Sequence, residues 1–191
     1  MRQGRPLALA AAAFWVLALI GCGTTAATTP CAGNVAIVNG ADLTTLQYEA
    51  FLKYTLGFYE HGNTAFPYYG QKICGSSSLR AQCKSLKQEL LQHMIDEATI
   101  SNYATKNGLL LTPSDWNKGL MQEQEEIHTA GGSQAYLAYL AKIGTDQAEA
   151  RLLEGQQLLT QKVRRAIGLG RFSTWLSSRE RAQPTTRCKL P

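Results

Sequence analysis

The chain has 191 residues and carries 19 basic against 14 acidic side chains, a formal net charge of +5. Hydrophobic residues make up 45% of it, which supplies a packed core for one domain and excludes a wholly disordered polypeptide. Arg2 and Arg5 are the only charged side chains among the first 21 residues, so removal of that segment leaves a formal charge of +3. So mild a charge argues against a nucleic-acid partner.

The first 22 residues resemble the leader of a bacterial lipoprotein. Arg2 and Arg5 make the start positive, residues 7–20 are apolar, and the run Leu-Ile-Gly-Cys ends at Cys22. The apolar core is too short to span a bilayer well. The run is similar to a lipobox, in which a signal peptidase cuts before a cysteine that carries diacylglycerol. The resemblance implies a signal peptide over residues 1–21 and acyl chains such as palmitate on Cys22, with an ordinary secretory signal as the alternative.

Residues 22–33 are predicted to tether a single folded domain, residues 34–190, to a membrane. The sequence after the cysteine, GTTAATTP, has low complexity and is typical of a flexible linker. A lipid-anchored exported chain works on the extracytoplasmic, periplasmic side of the cell envelope. Gly23 occupies the position of an aspartate retention signal, which favours the outer membrane in a cell that has one.

The cysteines of the folded part predict two disulfides, because their number is even and the chain is exported. They are Cys31, Cys74, Cys83 and Cys188. Sequence alone permits three pairings, of which the closely spaced second and third cysteines form the natural local pair. A zinc site is the alternative, and it is disfavoured because no CxxC pair exists and the three histidines show no ligand spacing. No metal is therefore expected.

A short strand and a capped helix open the predicted domain. Residues 35–38 are β-prone and end at the turn signal Asn39-Gly40, after which a helix is expected at once. Thr44 and Gln47 have the spacing of a capping box at its start. The apolar side chains that keep helical spacing are Leu46, Phe51, Tyr54 and Phe58.

Residues 62–77 contain Gly, Pro, Asn and Ser without an apolar period, which predicts a loop. The loop nevertheless holds three aromatic side chains: Phe66, Tyr68 and Tyr69. A long helix follows from about Leu79 to Asn107, and Gly108 ends it. Its predicted core stripe is Leu86, Leu90, Leu91, Met94, Ile95 and Ala98.

Four further helices and a final strand are predicted in the second half of the chain. They are a helix capped by Thr112 that reaches about His128, a short helix capped by Ser133, a long helix from Thr145-Asp146 to Ile167, a short helix with Phe172 and Trp175, and a strand within residues 185–190.

No residues in the chain combine into a credible catalytic site, and no cofactor is expected. Glu123, Glu125 and Glu126 form an acidic run, but consecutive helix positions fan around the cylinder. A solvated face is therefore expected there rather than a general acid and base. The chain also lacks a G-x-S-x-G elbow.

The order of these elements resembles the SurA/PrsA-type N-terminal chaperone domain over residues 35–167. The strongest motif is the long helix with the run Met94-Ile95-Asp96-Glu97, followed by Lys-Asn-Gly and the Thr112 cap. The resemblance implies an all-α, mainly helical chaperone core of the SurA N-terminal/trigger-factor-C-like class, with a minor two-stranded pairing of the N- and C-terminal segments. That pairing would bring Cys31 and Cys188 to neighbouring strand ends.

The family commonly places a parvulin prolyl isomerase domain after the helix that ends here near Ile167. Only residues 168–171 separate that helix from the next one, so the chain resembles the chaperone core without the isomerase. The resemblance implies a non-catalytic protein that binds unfolded or exported polypeptides through an apolar cradle. The alternatives are a structural lipoprotein that serves one dedicated protein partner and an accessory to prolyl isomerisation.

Five aromatic side chains are candidates for contact with such polypeptides. They are Phe66, Tyr68 and Tyr69 in the loop, and Tyr136 and Tyr139 on the short helix. The competing interpretation is that these rings pack against their own domain, as is expected for Trp116 and Trp175.

Overall fold

The computed structural model describes residues 31–61 and 70–191. These residues form six α-helices, three β-strands and two short 3-10 turns. In chain order they are β1 (Asn34–Val38), β2 (Ala41–Thr44), α1 (Thr45–His61), the turns Ile73–Gly75 and Ser77–Leu79, α2 (Arg80–Lys106), α3 (Pro113–Thr129), α4 (Ser133–Lys142), α5 (Gln147–Ile167), α6 (Phe172–Ala182) and β3 (Thr185–Arg187). The predicted fold class, mainly helical with a minor sheet from the two chain ends, is confirmed.

The sheet has three antiparallel strands in the order β2-β1-β3, one more than expected. Asn39 and Gly40 both have positive φ, at 51° and 82°, which is the geometry of a tight two-residue hairpin turn. The turn therefore leads into a second strand rather than directly into a helix. Thr44 ends that strand and caps α1, because Gln47 N donates to its Oγ1 at 3.2 Å.

The main core lies where β1 and α1 meet the first half of α2. Buried apolar side chains from all three elements fill it: Val35, Ala36, Val38, Tyr48, Leu90, Leu91, Met94 and Ile95. The long helix buries the predicted stripe here, with Ala98 packed at its edge. Helix α2 is about 40 Å long, since each of its 27 residues adds 1.5 Å, and it continues beyond this core.

A second core lies around the C-terminal half of α2. Ile100, Ala104 and Val163 are buried, and the rings of Phe172 and Trp175 pack against them. Trp175 thus packs as expected. Trp116 is 41% exposed, although its ring covers Gly155 on α5.

The described residues contain two disulfides, as predicted. Cys31 is joined to Cys188 with 5.6 Å between their Cα atoms, and Cys188 N donates to Val35 O at 2.9 Å beside β1. Cys74 is joined to Cys83 in the first turn of α2, with Cα atoms 4.9 Å apart.

The helix cap expected at Ser133 is not observed. Ser133 is the first residue of α4 rather than its cap, because Gly132 occupies the cap position and no side chain caps this helix. Over the described ranges, every helix is too short or too polar to cross a membrane.

Candidate functional site

A cleft of about 610 Å³ opens between α1, α3, α4 and α5. We call it the acidic cleft. The lining side chains on which the argument depends are Tyr54, Phe58, Glu123, Glu126, Tyr136, Tyr139, Arg151 and Glu154. A third hydrophobic core, built on Tyr136, Leu140 and Ile143, forms its base.

Aromatic rings from α1 and α4 form one side of the acidic cleft. Tyr54 and Phe58 are one helical turn apart on α1, with ring centroids at 6.2 Å, so their spacing places both on one face. Tyr136 and Tyr139 stand three residues apart on α4. Tyr136 is only 4% exposed, whereas Tyr139 is half-buried and lies nearer the opening.

The hydroxyl of Tyr136 is held by the acidic side of the cleft. It donates a hydrogen bond to Glu126 Oε2 at 3.4 Å. Burial, together with the charges of Glu126 and Glu123, raises the pKa of Tyr136 to about 12. The hydroxyl is therefore a permanent donor at physiological pH and orients the Glu126 carboxylate.

Glu123 is buried and paired, contrary to the expectation of a solvated acidic run. It is 3% exposed, and Arg151 Nη2 lies 2.9 Å from its Oε2. Gln147 Nε2 also donates to Glu123 Oε1 at 2.7 Å. Burial acts to raise the pKa of Glu123, but the hydrogen bonds from Arg151 and Gln147 outweigh it and hold the pKa below its ordinary value. The neighbouring Glu125 and Glu126 are exposed, as expected.

Glu154, on α5, is another carboxylate in the lining of the acidic cleft. Burial, followed by the charges of Glu126 and Glu123, raises its pKa. Its Oε1 is buried beside Gly119 and has no hydrogen-bond partner within residues 31–61 and 70–191. A buried carboxylate oxygen without a partner is energetically costly.

The charged side chains of the acidic cleft lie on α3 and α5. Its lining contains four carboxylates and one guanidinium. Across the described parts of the chain, no group of three or more His, Cys, Asp or Glu side chains is arranged to hold a metal ion. The lining contains no cysteine, serine or histidine.

The structure brings two of the predicted contact residues, Tyr136 and Tyr139, into this cleft. Phe66, Tyr68 and Tyr69 lie outside the described residues, as does the proposed lipidation site Cys22. Their roles stay predictions.

Sequence reasoning missed Tyr54, Phe58, Glu126 and Glu154 as members of one site. The pairs Tyr54/Phe58 and Tyr136/Tyr139 do carry a signal, since aromatic residues at helical spacing share a face. Nothing in the sequence shows that α3 and α5 pack together and so place Glu126 near Glu154.

Comparison with known proteins identifies one family. A family model described as a SurA-like N-terminal domain matches residues 1–164, which include every element from β1 to α4 and most of α5. No curated protein and no solved structure matches the chain.

Proposed function

Because this chain belongs to the family of SurA-like N-terminal domains, we propose that it binds unfolded or exported polypeptides and holds them without catalysis. The observation that carries the proposal is the acidic cleft, whose volume of about 610 Å³ lies in the range of protein ligand sites. On its aromatic side, the rings of the cleft can pack against apolar groups of a bound segment whatever its sequence. Burial of apolar surface is non-directional, which suits a site that receives many different segments.

The expected affinity is modest. Each aromatic or aliphatic side chain that a bound segment buries fully contributes about 1.5–3 kcal/mol. A few such contacts, reduced by the entropy cost of ordering the segment, correspond to about micromolar dissociation constants. Binding of this strength is reversible, as holding requires.

Some large apolar side chains outside the cleft lining are exposed to solvent. Leu120 on α3 and Leu152 on α5 are both solvent-exposed, on two helices that pack against each other. Leu152 is 64% exposed.

We also place the domain at the extracytoplasmic face of the cell envelope, anchored by lipid on Cys22. The leader pattern of residues 1–21 supports export, and the two disulfides fit an oxidising compartment. A tether over residues 22–33 would then connect the anchor to the domain of residues 34–190. Gly23 favours the outer membrane.

The test is suppression of aggregation. The mature chain, purified after export with its disulfides formed, is added at equimolar ratio to several unrelated proteins that aggregate on refolding. We expect light scattering to fall for most of them, and an unfolded fluorescent peptide to bind with about micromolar affinity. Absence of both effects would contradict the proposal.

Two other functions give distinct results in the same assays. A structural lipoprotein with one dedicated partner would leave the scattering of unrelated proteins unchanged. A prolyl isomerase would accelerate cis–trans exchange in an X-Pro peptide, which takes tens of seconds uncatalysed. We expect no acceleration, because helix α5 ends at Ile167 and α6 begins at Phe172, with no domain between them.

A further inference from the structure

Three of the four carboxylates in the acidic cleft, Glu125, Glu126 and Glu154, form no ion pair within the described residues. Arg151 is the one basic side chain in the lining, and it is engaged by Glu123 through its Nε and Nη2 atoms. Within the described residues, no lysine, arginine or histidine forms an ion pair with Glu126 or Glu154. The cleft therefore carries a negative excess in a chain whose net charge is positive.

The uncompensated charge lies beside the aromatic side of the cleft. Burial, followed by the neighbouring Tyr139 and Glu126, raises the pKa of Tyr54, so these three groups share one environment. Tyr136 links the two sides through its hydrogen bond to Glu126. Ring faces carry negative potential, and they attract a cation within about 6 Å of the ring centre. The ring faces and the carboxylates therefore both attract an incoming cation.

Glu154 is the least exposed of the three carboxylates without an ion pair. Burial and the charges of Glu126 and Glu123 raise its pKa although Arg151 acts to lower it, and its Oε1 is buried with no hydrogen-bond partner within the described residues. A cation that enters the cleft would relieve the repulsion among Glu154, Glu126 and Glu123. The cleft thus combines carboxylates from α3 and α5 with aromatic rings from α1 and α4.

We propose that the acidic cleft is a subsite selective for a basic side chain, lysine or arginine, of the bound polypeptide. The proposal rests on the proposed function and names which segments the protein prefers. Lysine and arginine combine a long apolar stem with a charged head, so the stem fits against Tyr139 and Phe58 while the head meets Glu126 and Glu154. A small inorganic cation would leave the aromatic surface uncovered.

The test compares charged and neutral isosteres on the intact mature chain. Fluorescent Gly/Ser-rich peptides carry a central Phe-Arg-Phe or Phe-Lys-Phe, and their partners carry citrulline or norleucine in place of the basic residue. Fluorescence anisotropy gives each dissociation constant. We expect the basic peptides to bind roughly tenfold more tightly at low salt, and the preference to shrink as added salt screens the charges.

Matched variants locate the preference. The double variant Glu126→Gln/Glu154→Gln should bind basic and neutral peptides within about twofold of each other, because amides keep the shape and remove the charge. Glu89→Gln on α2 makes the same type of charge change outside the cleft and should keep the tenfold preference. Circular dichroism melting checks that each variant is folded.

The outcomes separate this proposal from the one on which it rests. Equal binding of arginine and citrulline peptides by the unmodified chain would overturn the basic subsite and leave the holding function intact. A preference that survives in the folded double variant would also overturn it, since the selectivity would then lie elsewhere. Failure of every peptide to bind, together with unchanged scattering, would refute both proposals.

Discussion

Glu180 and Asp96 are two carboxyl groups that share one amide at the junction of α2 and α6. Gln92 Nε2 donates to Asp96 Oδ1 at 2.6 Å and to Glu180 Oε2 at 3.1 Å, and Arg187 donates to the oxygen of the same amide. Burial, a hydrogen bond with Asp96 and the charge of Asp96 raise the pKa of Glu180 to about 7. Two acidic groups so close favour a single shared proton.

This pair makes stability depend on pH in a defined direction. The pKa of Glu180 in the folded state lies above the unfolded value of about 4.3, so the folded state binds the extra proton between those two pH values. The stabilisation is complete below about pH 4 and is lost as the pH rises through 7. Near pH 8, the Glu180→Gln variant should therefore unfold at a higher urea concentration than the parent chain. Its free energy of unfolding should be larger by about 1 kcal/mol after allowance for solvent screening.

Near pH 5 the same variant should match the parent, because Glu180 is then mostly protonated. Urea unfolding at both pH values measures the difference, and Glu89→Gln is the control that should show little pH-dependent change. An equal effect of Glu180→Gln at both pH values would show that the raised pKa does not contribute to stability.

Among the interactions of single residues, those between neighbours in the sequence could be predicted. The caps at Thr44 and Thr112 form as their spacing indicates, and Asp146 caps α5 by accepting from Glu149 N at 2.9 Å. These interactions span three residues, so no distant packing decides them. The burial of Glu123 depends on Arg151, which is 28 residues away and on another helix. That pairing follows from the way α3 packs on α5, which local sequence does not determine.

Where two helices approach closely, the packing depends on glycine, because the neighbouring atoms leave no room for a side chain. An added Cβ on Gly57 of α1 would lie 2.6 Å from the carbonyl carbon of Ile143 and closer still to its oxygen. The obstacle is backbone at the end of α4, which cannot turn aside as a side chain can. The same glycine lies between Tyr54 and Phe58, so this approach also sets the aromatic side of the cleft.

We expect Gly57→Ala to lower the free energy of unfolding by about 2 kcal/mol. Alanine improves helix propensity by about 1 kcal/mol, but overpacking against fixed backbone costs more than that gain. Urea unfolding measures the change. Gly170→Ala is the matched control, because nothing lies within 4 Å of an added Cβ there, and it should shift stability by less than about 0.5 kcal/mol. A Gly57→Ala variant as stable as the parent would refute the close approach.

Helices were easier to predict than the sheet. The start of α3 and the end of α2 follow from Thr112 and Gly108, whose local preferences agree with the tertiary structure. Strand β2 was missed because its four residues, ADLT, have no strong β preference. The strand forms because Asn39-Gly40 turns the chain back along β1, which supplies hydrogen-bond partners.

The whole molecule joins its two ends at one sheet. β3 pairs with β1, so the C-terminal segment returns beside residue 35, and the Cys31–Cys188 disulfide locks that arrangement. Family resemblance predicted this return because it depends on element order. The acidic cleft was not predicted, because four elements far apart in sequence must meet to form it.

The two disulfides should therefore contribute unequally to stability. Closing a loop removes conformational entropy from the unfolded chain, and the effect grows with the number of residues enclosed. Cys31–Cys188 spans 157 residues and Cys74–Cys83 spans 9, which correspond to about 5 and about 3 kcal/mol in the loop-closure account. Cys31→Ser/Cys188→Ser should thus destabilise the protein by about 2 kcal/mol more than Cys74→Ser/Cys83→Ser.

Guanidinium unfolding of the two double variants measures this difference, and mass spectrometry of unreduced peptides checks the pairing in the parent. The comparison also bears on function, because Cys31 lies where the proposed tether enters the domain. If the terminal disulfide holds β3 against β1, its loss should loosen the sheet while the acidic cleft, which neither disulfide touches, keeps its affinity for peptides. Equal destabilisation by the two variants would show that native contacts, rather than chain closure, hold the ends together.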